Sequence, residues 1–193
     1  MPRTFAQNEA LKEQRKKKIE KAALRLFAKK DFLEISVDDI TSLSRCSHGL
    51  FYHYYRNQEE LFQAIEKDVL SREEKKYWID FSKLEQVKAE DGFNLFLRAL
   101  EIIFNGEKDV IYYYAALARN DFSLQKIPSA YYRESDKSSF CNLIGKAMKC
   151  GYIKQGKVEE IVHLFFLIIS DNLSNIVQNK ENFISLETLK RIF

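Results

Sequence analysis

Residues that interrupt helices are scarce in this sequence, and their scarcity limits the possible folds more than any other feature. Two prolines and six glycines are spread over 193 residues, too few to end the many short strands of a β-sandwich. Hydrophobic residues make up 46% of the chain, enough to bury the core of one domain or of two small ones. The sequence therefore predicts an all-α protein of long helices, about nine in number.

The cysteines and the apolar runs favour a cytoplasmic protein. Cys46, Cys141 and Cys150 form no CxxC pair, and residues 1–10 contain no apolar leader segment. The longest apolar run, Leu164 to Ile169, has six residues, whereas a membrane-spanning helix needs about 20. We expect a reducing compartment and no membrane partner.

Positive charge is concentrated at the N-terminus. Residues 1–30 hold ten basic and three acidic residues, a net +7, and residues 31–60 hold two basic and six acidic residues, a net −4. The rest of the chain is balanced, with 19 residues of each sign. A basic segment beside a neutral body suits contact with a polyanion such as nucleic acid or membrane headgroups. On charge alone, a solvated tail explains the same pattern equally well.

Three helices are expected before residue 58. Apolar residues recur at helical spacing between residues 14 and 29. Three short polar residues, which can accept hydrogen bonds from free backbone N–H groups, then mark helix starts: Ser36, Ser47 and Asn57. Helices over 37–43 and 48–54 follow, and the three to four residues between them are the connection length of a helix-turn-helix.

Such short helices are unstable alone in water and must pack on one another. The apolar residues expected to form this small core are Ile19, Ala23, Leu26, Phe27, Val37, Ile40, Leu43, Phe51 and Tyr55. This packing would give a compact three-helix unit.

Longer helices are predicted beyond it, at 58–78, 85–104, 107–120, 124–150, 157–178 and 182–193. The first of these carries an apolar stripe at Leu61, Ile65, Val69 and Trp78, so it could join the N-terminal unit to the body as a lever. Pro128 and the polar segment 134–139 are expected to interrupt the fourth. Gly151 and Gly156 are expected to end helices.

One continuous segment resembles the tetracycline-repressor (TetR) family of bacterial regulators. It reads SHGLFYHYYRNQEEL at residues 47–61, and the likeness extends over residues 12–65, about one third of the chain. The resemblance implies an N-terminal three-helix helix-turn-helix DNA-binding domain at 1–57. It further implies a C-terminal helical ligand-binding and dimerisation bundle at 58–193.

The resemblance also implies how the N-terminal domain meets DNA. The helix that begins after Ser47 would enter the major groove, with His48, Gly49 and His53 facing bases. Glycine lets the backbone approach base edges closely, and histidine can donate or accept there. The full set of residues expected at the DNA is Lys17, Ser36, Val37, Arg45, Ser47, His48, Gly49, Leu50, Tyr52, His53, Tyr54, Asn57 and Gln58.

Three positions depart from the family's pattern. Gln58 stands where a lysine is usual, so one cationic phosphate contact is missing. Arg45 stands where glycine is common, and a left-handed conformation there would cost about 1 kcal/mol. Asp38 and Asp39 bring negative charge towards DNA; Asp38 could accept from a cytosine amine, although acids are also favoured at any helix start. We therefore expect binding to depend on the basic segment from Lys12 to Lys18.

The helix over 157–178 is apolar around most of its circumference, which predicts burial against a second copy of the chain. The family dimerises through its last two long helices. The residues expected at this interface are Phe165, Phe166, Ile169, Leu173, Ile176 and Leu189. The alternative is that this helix forms the central strut of each subunit.

Aromatic and aliphatic residues on the middle helices could surround a ligand, as the family resemblance implies. The residues expected there are Phe96, Leu100, Phe104, Tyr113, Leu117, Phe140 and Ile144. An apolar or aromatic ligand held by one polar side chain would suit them. The candidates for that side chain are Arg98, Glu101 and Arg119. Ordinary core packing is the alternative.

The expected function is that of a homodimeric, sequence-specific repressor that binds a palindromic operator in double-stranded DNA and is released by a small, largely apolar effector. The alternative is a DNA-bound interaction protein that recruits a protein partner without a small-molecule effector. No Ser/His/Asp order, HExxH, P-loop or GxGxxG is present, so we expect neither an enzyme, a metal site nor a cofactor.

Overall fold

The computed structural model describes residues 4–73, 88–119, 134–180 and 184–192, and these contain nine α-helices and no strand. The helices are α1 (Phe5–Phe27), α2 (Val37–Ser44), α3 (His48–Tyr54), α4 (Gln58–Glu73), α5 (Ala89–Phe104), α6 (Lys108–Arg119), α7 (Glu134–Lys149), α8 (Val158–Val177) and α9 (Leu186–Ile192). A short 3₁₀ turn, Phe32–Glu34, joins α1 to α2. The predicted all-α fold is confirmed.

The first helix begins nine residues before the predicted start. Thr4 caps it: its hydroxyl accepts a hydrogen bond from the backbone N–H of Gln7 at 3.3 Å, and the Gln7 side chain accepts one from the Thr4 N–H at 2.9 Å. This reciprocal arrangement satisfies two N–H groups that a helix start leaves free. The basic N-terminal residues therefore lie along a helix, where their side chains have fixed relative positions.

The segment 134–139, predicted to interrupt a helix, is the first part of α7. Gly151 ends α7 as predicted, with φ of 77°, a left-handed conformation that glycine adopts without strain. Trp78 and Pro128 lie outside the described residues.

Two hydrophobic clusters form the interior. The N-terminal cluster joins α1–α4 to one face of α6 and contains Ile19, Ala23, Leu24, Phe27, Phe32, Ile35, Ile40, Phe51, Tyr55, Leu61, Phe62, Ile65, Val69, Leu70, Val110, Tyr113 and Ala116. The C-terminal cluster lies mainly among α5–α9 and includes Leu97, Leu100, Phe140, Leu143, Ile144, Phe165, Ile169, Leu173 and Leu189. The small core predicted for the first three helices is present, except that Leu43 is 49% exposed.

Helix α4 packs on α1 and α6 through its buried stripe of Leu61, Ile65 and Val69, as predicted for a connecting helix. Because this stripe belongs to the N-terminal cluster, the predicted boundary at residue 57 falls between α3 and a helix that shares its core. The boundary itself stays a prediction.

Helix α6 is shared by both clusters. Val110, Tyr113 and Ala116 belong to the N-terminal cluster, whereas Ile111 and Ala115 belong to the C-terminal one. The two sets alternate at helical spacing, so opposite sides of one short helix contact the two cores. A movement of α6 would therefore disturb both.

Helix α8 is long and apolar enough to cross a membrane by length and composition alone, with a mean hydropathy of 1.4 over its best window. The core helix of a water-soluble protein meets the same test, so this is weak evidence of a span. Here Phe165, Ile169 and Leu173 pack in the C-terminal cluster. The predicted absence of a membrane partner stays a prediction.

Candidate nucleic-acid interface

Helices α2 and α3 form a helix-turn-helix whose ends are fixed by side-chain caps. Ser36 accepts a hydrogen bond from the Asp39 N–H at 3.1 Å, and the Asp39 carboxylate accepts from the Ser36 hydroxyl at 2.6 Å and N–H at 2.8 Å. These bonds to the charged form lower the pKa of Asp39. Ser47 caps α3 by accepting from the Leu50 N–H at 3.2 Å.

The turn between the two helices is three residues long and has the strained conformation foreseen for Arg45. This arginine has φ of 53° and ψ of 46°, a region that side chains with a β-carbon adopt at a cost of about 1 kcal/mol. The turn closes with a backbone bond of 3.0 Å from the Cys46 N–H to the Thr41 carbonyl. The sharp change of direction fixes the angle at which α3 leaves the domain.

One side of α3 anchors the helix and the other side faces outwards. Phe51 is fully buried, and Tyr55 directly after the helix is 3% exposed. Their rings hold α3 against α1, where the Tyr55 hydroxyl donates to buried Glu20 at 2.7 Å. Burial and this hydrogen bond raise the pKa of Tyr55. The exposed residues of α3 are His48, Gly49, Tyr52 and His53.

Gly49 has no structural reason to be glycine within the described residues. Its φ is not in the left-handed region, and a β-carbon placed on it would meet no atom within 4 Å. Glycine in a helix lowers stability by about 0.5–1 kcal/mol relative to alanine. The open space above Gly49 lies on the exposed side of α3, where an external partner could come close to the backbone.

His48 is held in place by α2. Its Nε2 lies 2.9 Å from the Asp38 carboxylate, and both side chains are more than half exposed. Asp38, whose role the sequence left open, thus contacts the first residue of α3. The contact with Asp38 leaves 55% of the His48 side chain exposed.

Two side chains expected at the DNA bind within the chain instead. The Tyr54 hydroxyl donates to the Lys12 carbonyl at 3.3 Å, and the Gln58 amide donates to the Ile35 carbonyl at 2.7 Å. The first bond joins α1 to the end of α3, and the second joins α4 to the loop before α2. These side chains brace the domain, and a phosphate contact by either would have to compete with its bond.

Lys17 also binds internally. Its ammonium group lies 2.9 Å from Asp68 on α4 and 3.1 Å from Glu20. Burial acts to lower the pKa of Lys17, but the bonds to these carboxylates outweigh it and raise the pKa. The ion pairs fix α1 on α4, so the charge of Lys17 is already neutralised in the folded chain.

The other residues expected at DNA occupy varied positions. Ser36, Arg45, Ser47 and Asn57 are exposed, whereas Val37 and Leu50 are half-buried against the N-terminal cluster. Asn57 caps α4 by accepting from the Glu60 N–H at 2.8 Å. The Glu60 carboxylate returns to the N–H of Arg56 rather than to that of Asn57.

Comparison with known proteins agrees with this geometry. The family described as "Bacterial regulatory proteins, tetR family" matches residues 19–65, a span that runs from the middle of α1 through the helix-turn-helix into α4. Residues 19–65 therefore resemble the helix-turn-helix segment of the TetR family. This match supports a DNA-binding transcriptional regulator with a helix-turn-helix.

Two solved structures with TM-scores above 0.5 support the fold across most of the chain. A gamma-butyrolactone receptor (ArpA like protein) matches with a TM-score of 0.57 and 16% identity, covering 94% of this chain and 83% of the other. A second structure of that description has a TM-score of 0.52 and 15% identity, covering 84% and 83%. The regulatory protein TetR from Rhodobacter sphaeroides has a TM-score of 0.45 and 16% identity, covering 92% and 97%. No curated protein matches the sequence.

The structure separates the residues expected around a ligand. Leu100, Phe104, Phe140 and Ile144 lie in or against the C-terminal cluster, whereas Tyr113 and Leu117 lie in or against the N-terminal one. The Phe96 side chain lies outside the described residues. The described members of the set are thus divided between two adjoining clusters, and a ligand pocket among them stays a prediction.

The three candidate polar anchors do not converge on an apolar pocket either. Arg98 and Glu101 are exposed. The Arg119 guanidinium donates to the Ala28 carbonyl at 3.3 Å and lies 3.2 Å from the Ser174 hydroxyl. Arg119 thus connects the end of α1 to α8, where its positive charge also favours the carbonyl end of α1.

The residues chosen for the dimer interface lie in or against the subunit's own core. Phe165, Ile169, Leu173 and Leu189 are buried in the subunit's own core, and Phe166 and Ile176 are half-buried against it. Within one subunit the first four are covered and the last two are partly covered, and their place at a dimer interface stays a prediction. The exposed side of α8 instead presents Leu164, 48% exposed, and Leu167, 52% exposed.

Among the buried polar residues that escaped the sequence analysis, Glu66 and Asn172 are fully buried. Glu66 is fully buried on α4 and accepts a hydrogen bond from Tyr113 at 2.8 Å. Asn172 is fully buried on α8, where its side chain donates to the Ile184 carbonyl and accepts from the Ile184 N–H, both at 2.8 Å. A polar residue at a buried position of an apolar stripe was the signal that could have revealed both.

Proposed function

We propose that the protein is a homodimeric repressor that reads an operator with the exposed side of α3 and leaves it when a small, largely apolar ligand binds the C-terminal domain. The proposal that α3 reads bases rests on Gly49. This residue weakens α3, nothing within the described residues requires it, and it lies beside His48 and His53 on the exposed side. Close approach to a base edge would explain why the position lacks a side chain.

The homodimer would form through the exposed side of α8. Leu164 and Leu167 are separated by one helical turn and are about half exposed. Two such apolar patches brought together by a two-fold axis would remove each other from water. A dimer of this kind would set its two α3 helices into half-sites about 34–36 Å apart or a multiple of that distance.

The release step would pass through α6. This helix contacts the C-terminal cluster on one side, and on the other Tyr113 packs against Phe62 with ring centroids 6.0 Å apart. Two structural neighbours are called gamma-butyrolactone receptors, which supports a small organic ligand as the class to screen. Such a ligand would act only through stronger binding to the conformation that cannot span both half-sites.

Selection from a random-sequence duplex pool, followed by fluorescence anisotropy, tests the proposal. We expect a recovered palindrome to bind at least about 10³-fold more tightly than its scrambled form at physiological salt. Small organic compounds that raise the melting temperature should also release this duplex. No preferred sequence would refute operator reading, whereas specific binding without release by any stabilising ligand would favour recruitment of a protein partner. Cytoplasmic location and independence from cofactors remain predictions.

A further inference from the structure

A basic cleft lies between α1 and the turn of the helix-turn-helix. Its volume is about 520 Å³. Four cations of α1 line one side: Arg15, Lys18, Lys21 and Arg25. Arg45 lines it from the turn, and Leu50 from α3. The cleft is thus continuous with the start of the helix that is proposed to read bases.

Unlike other cations of α1, the four cleft cations of that helix and Arg45 have no carboxylate partner. Within the described residues, none of them has an acidic oxygen within ion-pair distance. In contrast, Lys12 pairs with Glu9 at 2.7 Å, and Lys17 pairs with Glu20 and Asp68. The acids of α1 and α4 therefore neutralise other cations of α1 and leave the cleft positive.

The spacing of the cleft cations along α1 concentrates their charge. Arg15, Lys18, Lys21 and Arg25 follow one another at intervals of three or four residues, so neighbouring side chains share one face. Like charges in this arrangement repel and destabilise a helix. Arg45 adds a fifth positive charge on a strained backbone. An anionic partner would relieve this repulsion.

We infer that the cleft binds the phosphate backbone of DNA flanking the half-site read by α3. The row from Arg15 to Arg25 is about 15 Å long at 1.5 Å per residue. One DNA strand advances about 3.4 Å per phosphate along the duplex axis, so a row of cations lying along that axis would span about four phosphates. Continuity with α3 at Leu50 places this backbone next to the half-site. The inference rests on the proposed DNA-binding function and extends its footprint.

Anisotropy on two duplexes tests this inference. Both contain the palindrome selected by the wild-type protein; one ends at its outer base pairs and the other continues for about ten base pairs on each side. The cleft variant carries Lys18→Gln, Lys21→Gln and Arg25→Gln. A matched variant removes three exposed charges from the C-terminal domain through Lys149→Gln, Lys154→Gln and Lys180→Gln.

The wild type should bind the longer duplex at least about tenfold more tightly, since its cleft reaches additional phosphates there. The cleft variant should show no such preference for length. Its slope of log affinity against log salt on the longer duplex should fall by about 2.7 per bound subunit, at about 0.9 for each phosphate that the variant no longer neutralises. The matched variant should behave as wild type, and circular dichroism should show equal helicity for all three proteins.

If the cleft variant keeps both the wild-type preference for the longer duplex and the wild-type salt slope, the inference is wrong. Equal weakening on both duplexes would also overturn it, because the cleft would then act inside the half-site. Stabilisation of the wild type by inorganic tripolyphosphate, with the variant's DNA binding unchanged, would assign the cleft to a small polyanion instead. If the wild type selects no sequence, the proposed function fails; the salt slopes on random DNA then still decide whether the cleft binds phosphates.

Discussion

Replacing Gly49 with alanine should stabilise the protein while weakening its binding to DNA. The added methyl group meets no atom within 4 Å in the free chain, and the backbone conformation suits any residue. Alanine restricts the unfolded chain more than glycine does, which stabilises the folded protein by about 0.5–1 kcal/mol. For a chain of this size that corresponds to a rise in melting temperature of about 1–4 °C.

The same methyl group would lie between the α3 backbone and a base edge in the complex. Disrupting one well-fitted base contact costs about 1–3 kcal/mol. The dissociation constant for the selected duplex should therefore rise by about 5- to 150-fold for each half-site. Affinity for scrambled DNA should stay nearly unchanged, because phosphate contacts dominate there. Thermal unfolding and anisotropy, measured on one preparation, give both numbers.

Gly145→Ala provides the matched control. Gly145 is a helical glycine in α7, and a β-carbon there would meet the nearest atom, Val158 Cγ2, at an ordinary 3.6 Å. It should gain similar stability without any change in DNA affinity. A stabilised Gly49→Ala protein that binds the selected duplex as tightly as wild type would refute close backbone approach at Gly49. Equal weakening on specific and scrambled duplexes would refute its base-reading role.

Three further substitutions test the links within and between subunits. Tyr113→Phe removes the hydrogen bond to buried Glu66 while keeping the ring, and should lower the free energy of unfolding by about 1–3 kcal/mol in urea titrations; an unchanged midpoint would contradict a stabilising role. Leu164→Glu should raise the dimer dissociation constant at least about tenfold in sedimentation experiments, since one change removes apolar contact twice; an unaltered dimer would place the interface elsewhere. Asn172→Leu should destabilise the protein by about 2–4 kcal/mol and accelerate hydrogen exchange at the Ile184 amide. Wild-type protection of that amide would show that α9 is held by other contacts.

Local sequence signals predicted the helix-turn-helix closely because they act over a few residues. The caps at Ser36 and Ser47 and the apolar spacing of α2 and α3 all depend on neighbours within one or two turns. The start of α1 was missed for the opposite reason. Its first nine residues, 5–13, are mostly polar, and the helix there rests on the cap at Thr4 rather than on an apolar face.

The residues expected at DNA were harder to place because their partners are distant in sequence. Tyr54 binds a carbonyl 42 residues away, and Gln58 binds one 23 residues away. Lys17 meets Asp68 only because α1 packs on α4. A family pattern gives each position a role, but the role of a particular side chain also depends on which internal acceptors the folded chain brings within reach.

The dimer residues show a different limit of periodicity. When apolar residues surround a helix such as α8, their spacing cannot say which side faces the subunit and which faces a partner. Packing against α6 and α7 buries Phe165 and Ile169. Only Leu164 and Leu167 then stay exposed as large apolar residues of α8 within the described part of the chain. The tertiary structure was needed to choose between sides of equal hydrophobicity.

The position of α6 explains how one small domain could control the other in the proposed mechanism. Tyr113 contacts α4 through both its hydroxyl, bound to Glu66, and its ring, packed on Phe62. Two different contacts at one residue resist both sliding and rotation of α4 on α6. Ile111 and Ala115, on the other side of α6, face the core in which a ligand would have to make room. Because packed cores shift between discrete arrangements rather than deform smoothly, displacement of α6 would move α4, and with it the helix-turn-helix, as one body.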